Sequence, residues 1–294
     1  MGTWPLSGDF GNVPLSQIEK TLLKSEELGF YEFDTAPNYG LGFMEQCLGK
    51  VFGKHDKVKI NTKAGNIPFV GKSFEPKDIR KSVEDSLKRL NIESINILYL
   101  HNPRTEVSNY QPLAELMTEL KTEGKIQFSG VSLAKGYEYP TEVYDLFDCI
   151  QDEASLLYLD QLKSAKHIEK TYFRSPLASG LLGGHITNET TFEAEDHRSG
   201  WLKGERLKSI LKRVDKIKEE IASYNNLDLQ AVARKFLLES EGRPKVIFGI
   251  KRPEHLERIY ADLQLPDLTN DLKKSIADLY ESDFGLKDEQ HLRY

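Results

Sequence analysis

Short apolar and β-branched runs alternate along the chain with amphipathic stretches of helical period. Helical spacing in PLSQIEKTLLKSEELG gives way to FYEFDTA, and FMEQCLGKVFG gives way to VKINTKAG. Then come PKDIRKSVEDSLKRLN, INILYLHNP, YQPLAELMTELKTEG, IQFSGVS, YPTEVYDLF, CIQDE, IEKTYFRSP and, much later, KVIFGI. Strand and helix patterns alternating across short Gly-, Pro- or Asn-marked joints predict right-handed βαβ units around a parallel sheet. Leu15, Ile18, Leu22 and Leu23 mark the apolar stripe of the first helix, with Gly29 as its stop. The third helix opens at Glu75-Pro76, where a proline in the first turn costs little. With Met1–Trp4 counted as a first strand, the strands number eight. An open doubly wound sheet would give the same alternation, but it normally carries a glycine-rich phosphate loop after its first strand, and GTWPLSGDFG is not GxGxxG. The expectation is an α/β fold, a closed (β/α)8 TIM barrel, as a single domain over residues 1–294.

Nothing in the pattern splits the chain. The stretch from Gly183 to Gly204 is polar and long enough for a functional loop. Helical segments follow over Arg206–Tyr224 and Asp228–Glu239, one of them an extra helix before the last strand. The tail after Glu281 reads as irregular.

Three successive strand ends carry the chemistry. Asp34 and Tyr39 lie in FDTAPNYG, Lys63 in INTKAG and His101 in LYLHNP. A parallel barrel gathers such residues at the carboxyl ends of its strands. A phenol beside an ammonium has its anion stabilised, so its pKa falls toward neutrality and it can serve as a general acid. The carboxylate would fix the lysine, and the imidazole would hydrogen-bond a carbonyl oxygen. Each residue alone has an ordinary explanation: Asp34 as a turn residue, His101 as a structural histidine, Lys63 as a solvated charge. Four suitable types at three consecutive strand ends favour a site. Trp4, Phe69, Tyr137 and Trp201 could wall a substrate, although aromatics more often fill cores.

Composition narrows the partners. Hydrophobic residues make up 39% and charged residues 29% of the 294, an ordinary globular profile. A net charge of −6 argues against nucleic acid as a bulk electrostatic partner. It leaves room for a locally basic pocket around one phosphorylated cofactor. Cys47 and Cys149, without CxxC or Cys/His ligand spacing, fit a reducing compartment and offer no metal site. There is no signal-peptide pattern and no apolar run long enough to span a membrane. A cytoplasmic protein is expected; the oligomeric state is left open.

With these segments in order, from GTW through FDTAPNYG, NTKAG, LYLHNP, SGVS, CIQDE and RSPLASGLLGG to FGIKRPEHL, the chain resembles the aldo-keto reductases over nearly its whole length. The resemblance implies an oxidoreductase that binds a nicotinamide dinucleotide on a (β/α)8 barrel, NADPH more commonly than NADH. It implies that Tyr39 donates a proton, that Lys63 and Asp34 tune it, and that His101 orients the carbonyl. Gly2, Thr3 and Trp4 fall beside the cofactor, and Ser132 and Gln151 match the positions that hold the nicotinamide carboxamide. Ser175 and Leu177 match the loop around the pyrophosphate. Lys251, Arg252 and His255 match the segment that contacts the adenosine phosphate and adenine.

Several positions depart from the family pattern. Leu133 stands where an asparagine usually follows the serine matched by Ser132. Arg174 replaces the aromatic that stacks on the nicotinamide, and its charge would disfavour the positive oxidised ring. Arg258 and Ile259 stand at the positions that grip the adenine amino group. The family's β-hairpin before the first strand has no counterpart ahead of Gly2, so an open or otherwise covered barrel floor is expected. Polar loops over the strand ends imply a small polar or sugar-like carbonyl substrate. Two rivals stay open at this level: a nicotinamide-binding regulatory subunit with slow or no turnover, and a barrel lyase or isomerase without hydride transfer.

Overall fold

The structure is a computed structural model that describes residues 1–162, 170–224 and 227–286. The start of the expected IEKTYFRSP strand (168–169) and the last part of the tail (287–294) lie outside them. Seven parallel strands stand in the order β1 (Glu32–Asp34), β2 (Lys59–Ala64), β5 (Ile95–His101), β6 (Ile126–Ser132), β7 (Cys149–Glu153), β8 (Lys170–Arg174) and β9 (Lys245–Ile247). Gly2 closes the ring as an eighth stave, bridging in parallel to Asp34 on one side and to Gly249 on the other. The (β/α)8 barrel expected from the pattern is therefore present, with its first stave reduced to a single bridge. A small hairpin, β3 (Asn66–Ile67) with β4 (Gly71–Lys72), is inserted just after β2.

Helices α1 (Leu15–Glu27), α2 (Phe43–Phe52), α3 (Pro76–Leu90) and α4 (Gln111–Thr122) fall where periodicity placed them; α5 (Glu142–Leu146) is little more than a turn. The stripe on α1 needs correction. Ile18 and Leu22 are fully buried, but Leu15 and Leu23 are exposed, and Thr21 and Ser25 complete the inner face. Their hydroxyls donate to backbone oxygens one turn earlier, which lets polar side chains occupy a buried stripe. Between β8 and β9 lie α6 (Gly204–Ala222) and α7 (Leu229–Leu238). Helix α7 packs against β9, while α6 packs outside it against α7 and α9 (Asn270–Glu281), so α6 is the extra helix. Helix α8 (Pro253–Leu263) follows β9 and packs on α1. The tail is not irregular throughout: Asp283–Gly285 forms a 3-10 turn in which Asp283 pairs with Arg213 at 3.1 Å and Phe284 is buried.

Alternation along the strands separates two cores. One face of each strand meets the helices, with Phe33, Leu98, Leu100, Ile150 and Phe173 fully or almost fully buried. The other face fills the barrel with Ile97, Tyr99, Cys149, Tyr172 and Ile247. Below these, Glu32 accepts from Asn61 (2.9 Å) and the Tyr172 hydroxyl (2.9 Å) and pairs with Lys245 (3.1 Å), closing the lower barrel with polar groups that satisfy one another. Register then carries inward-facing positions to the upper rim, where Asp34 pairs with Asn61, His101 with Ser132, and Ser132 with Gln151. Among the described residues, no helix is long and apolar enough to cross a membrane.

The interior is filled tightly around Tyr99. A β-carbon on Gly130 would lie 2.6 Å from the Tyr99 ring and 2.9 Å from the Cys149 carbonyl oxygen. Gly130→Ala is thus expected to lower stability by about 1–3 kcal/mol through overpacking, read as a lower midpoint of thermal unfolding. An unchanged midpoint would show that the barrel core is looser than described.

Candidate active site

The rim opens into a cavity of about 1120 Å³ that holds Asp34, Tyr39, Lys63 and His101 together. Lys63, brought up by β2 and only 1% exposed, donates to Asp34 Oδ1 at 2.6 Å, to the Thr35 carbonyl at 2.8 Å and to the Tyr39 hydroxyl at 3.2 Å. Tyr39 sits in the turn from β1 to α2, where Gly40 and Gly42 take left-handed conformations that let the chain double back. The His101 ring stands nearly perpendicular to the Tyr39 ring, with centroids 6.3 Å apart. Asp34 uses its second oxygen as well: Gln151 Nε2 donates to Oδ2 at 2.7 Å, and Ser132 Oγ donates to Gln151 Oε1 at 3.0 Å. One polar relay therefore runs from Ser132 to Tyr39.

Burial sets the protonation states. It pushes the Tyr39 phenol above the ordinary tyrosine range; Lys63 pulls the value back, and Asp34 works against that pull. The expected fall toward neutrality does not follow here, because burial raises the phenol by more than Lys63 lowers it. Burial also opposes the Lys63 charge, yet Asp34 and Tyr39 together hold that amine above its usual value. His101 is held well below the imidazole range by burial, then by the charges of Lys63, Arg174 and Lys72. Its Nδ1 is buried without a hydrogen-bond partner, which leaves Nε2 as the ring nitrogen able to reach a substrate oxygen. Near neutral pH the site offers a neutral phenol, a neutral imidazole and a charged amine. That set can donate two hydrogen bonds to one oxygen and stabilise the phenolate left by proton transfer.

The expected cofactor residues mostly share this cavity. Gly2, Trp4, Ser132, Gln151, Arg174, Ser175, Leu177, Lys251, Arg252 and His255 all line it. Thr3 does not: it is fully buried, and its hydroxyl donates to the Asp34 carbonyl at 2.9 Å, steadying the strand end from behind. Trp4 stacks on Tyr39 with centroids 5.8 Å apart and donates to Asp9 at 2.6 Å. Trp201 also lines the cavity, but Phe69 is 88% exposed and Tyr137 packs on Tyr139, so neither belongs to the wall. Phe10 and His197 take their places, each in ring contact with Trp4. The Gly183–Gly204 segment reaches the cavity through His185, His197, Arg198 and Trp201, and the His197 N–H donates to Asp9 O at 2.7 Å.

Two departures acquire a structural context. Arg174 is ion-paired with Glu153, which it shares with Lys135, and donates to the Leu133 carbonyl at 2.9 Å. Leu133 is buried and offers no amide. Asn102, directly after His101 and left-handed at φ 52°, brings an amide to the same rim: its nitrogen, oriented toward acceptors, donates to the Ser132 and Leu133 carbonyl oxygens at 3.2 Å. Arg258 and Ile259 both line the far end of the cavity, Arg258 paired with Asp228 and Asp262.

Comparison with known proteins agrees with this geometry. The model of the aldo/keto reductase family matches residues 1–281. The chain belongs to the aldo/keto reductase family. It is 29% identical over 279 residues to the aldo-keto reductase YhdN of Bacillus subtilis, covering 88% of this chain and 82% of that protein. It is 28% identical over 270 residues to the fission yeast (Schizosaccharomyces pombe) aldo-keto reductase yakc [NADP(+)], covering 84% and 78%. Among solved structures, the glycerol dehydrogenase AKR11B4 from Gluconobacter oxydans superposes with a TM-score of 0.81 at 24% identity, covering 99% of this chain and 93% of that one. This chain is accordingly an oxidoreductase of the class that reduces carbonyls with NAD(P)H.

The described residues of the reductase fit such a dinucleotide. The cavity runs from the catalytic rim to the N-terminus of α8, where Arg252 and His255 are exposed and make no ion pair among the described residues. Ser175, Ser179 and Gly180, which also line the cavity, have left-handed backbone.

The protonation states fix the pH behaviour. Because the raised pKa of Tyr39 keeps it protonated through neutrality, kcat for reduction should stay flat between about pH 6 and 9 and fall only in stronger alkali. Alcohol oxidation, which needs the phenolate, should rise with pH over the same range. Tyr39→Phe should lower kcat for reduction by about 10²–10⁴-fold with cofactor affinity retained. A reduction rate that drops with a midpoint near pH 7 would contradict these assignments.

Proposed function

We propose that this reductase uses NADPH to reduce a small polar aldehyde or ketone, with Tyr39 as the proton donor. The observation that carries this reading is the buried Lys63 ammonium bridging Asp34 and the Tyr39 hydroxyl at the base of a cavity that also holds His101. When bound, the dinucleotide supplies a hydride to the carbonyl carbon. His101, neutral, donates to the carbonyl oxygen and fixes its direction. Tyr39 hydrogen-bonds the same oxygen and releases its proton as negative charge develops there, and Lys63 stabilises the phenolate that remains. Asp34 keeps the ammonium charged and aimed. Ser132, Gln151, Asn102 and Arg174 would hold the nicotinamide end of the dinucleotide. Trp4, Phe10 and Trp201 exclude water from the reacting face.

The preference for NADPH rests on Lys251, Arg252 and His255 clustering at the opening of α8, where two cations and the N-terminal N–H groups suit a 2′-phosphate. Fluorescence titration with each cofactor tests it. Arg252→Ala should weaken NADPH about 10–100-fold, the value of a charge-assisted hydrogen bond, and leave NADH nearly unchanged. Equal losses for both cofactors would remove Arg252 from phosphate recognition, and failure to bind either cofactor would remove the reductase reading itself.

A further inference from the structure

We propose that the substrate pocket is built for carbonyl compounds that carry an anionic group, a phosphate or carboxylate, a few bonds from the C=O, and that Arg104 anchors that group. This rests on the reductase reading above and assigns the substrate class for the same site.

The first observation is a charge imbalance. The chain carries −6 overall, yet among the described residues ten Lys and Arg side chains line the cavity against two acids, Asp34 and Glu153. Arg198, Arg234 and Arg258 are balanced from behind by Asp196, Asp262 and Asp228, which leaves seven cations facing those two acids. Cations at the α8 end have the cofactor phosphates to meet. At the catalytic end, Lys63 is spent on Asp34, and Glu153 is shared between Arg174 and Lys135. The acids there are therefore already committed to other cations, and Arg104 adds a further positive charge to the same end.

The second observation is how Arg104 is held. It lies three residues beyond His101, on the loop that leads from β5 to α4, and lines the cavity beside His101 and Asn102. Glu106 would be its natural partner but is engaged elsewhere. One Glu106 oxygen accepts the Arg104 backbone N–H at 2.8 Å, and the other pairs with Lys72 at 3.3 Å. Lys72, at the end of the inserted hairpin, also donates to the Asn102 carbonyl at 2.9 Å. The loop is thus pinned by its backbone while the Arg104 guanidinium makes no hydrogen bond or ion pair among the described residues. Three residues span at most about 10 Å. His101 and Arg104 line one cavity, so an anion at the guanidinium and a carbonyl oxygen at His101 can belong to one small substrate. A guanidinium presents the paired donors that phosphate and carboxylate accept, and Asn38 and Asn66 line the same mouth with amides for intervening hydroxyls.

The test compares matched substrates with saturating NADPH: glycolaldehyde against glycolaldehyde phosphate, and butanal against succinic semialdehyde. The expected result is at least a tenfold higher kcat/KM for one or both anionic members, carried mainly by KM and shrinking as salt is added. A preference confined to one pair assigns the anion as phosphate or as carboxylate. Arg104→Met should collapse the anionic-to-neutral ratio toward unity, with NADPH titration confirming an intact fold and cofactor site. Anionic and neutral members within twofold of each other in the wild-type enzyme would overturn the proposal, as would a ratio that survives Arg104→Met. Absence of turnover with all four aldehydes would instead count against the reductase reading.

Discussion

The Lys63 ammonium is sealed from water, and an unpaired charge at that depth would cost several kcal/mol. The Asp34 carboxylate makes the position tenable. One of its oxygens balances the lysine and the other receives Gln151, so a single side chain couples Lys63 and Tyr39 to the Gln151–Ser132 pair. Its backbone is equally committed: Asp34 N–H donates to Met1 O, and Asp34 O accepts from Thr3 N–H and from the Thr3 hydroxyl. The first stave is reduced to a bridge at Gly2, yet it holds the Asp34 backbone in place. Fold closure and site geometry are here the same set of hydrogen bonds.

Low dielectric around this cluster decides how the tyrosine works. Lys63 pulls the phenol down, but burial raises it by more, and Asp34 adds to the rise. Tyr39 therefore keeps its proton near neutrality, the state that the proposed reduction requires. His101 follows the same logic from the other side, remaining neutral because neighbouring cations and burial both disfavour imidazolium.

Much of this was legible in the sequence because it depends on local pattern. Strand ends at Asp34, Lys63 and His101 follow from apolar runs that stop at a polar residue, and barrel register then brings them together. What escaped depends on distant packing. Phe10 and His197 meet over Trp4 only because two loops cross, and nothing in GDFG or DHRSG records that crossing. The Asn102 amide was hidden by its backbone: only a left-handed turn after His101 aims it at Ser132. Leu15 and Leu23 look like core by spacing, but Thr21 and Ser25 take the buried positions because their hydroxyls are satisfied within the helix. The sign of the Tyr39 shift was misjudged for a related reason, since motif spacing reveals a neighbouring charge but not how far burial and a counter-ion offset it.

The central claim is that this site delivers a hydride to a carbonyl carbon and a proton to its oxygen. The most direct measurement is transfer of isotope from NADPH carrying deuterium at both C4 positions to an aldehyde such as glycolaldehyde, with the alcohol analysed by mass spectrometry and NMR. The account predicts one deuterium on the former carbonyl carbon and none on any other carbon. Product formed without deuterium at that carbon, or an aldehyde altered while the cofactor is not consumed, would contradict it.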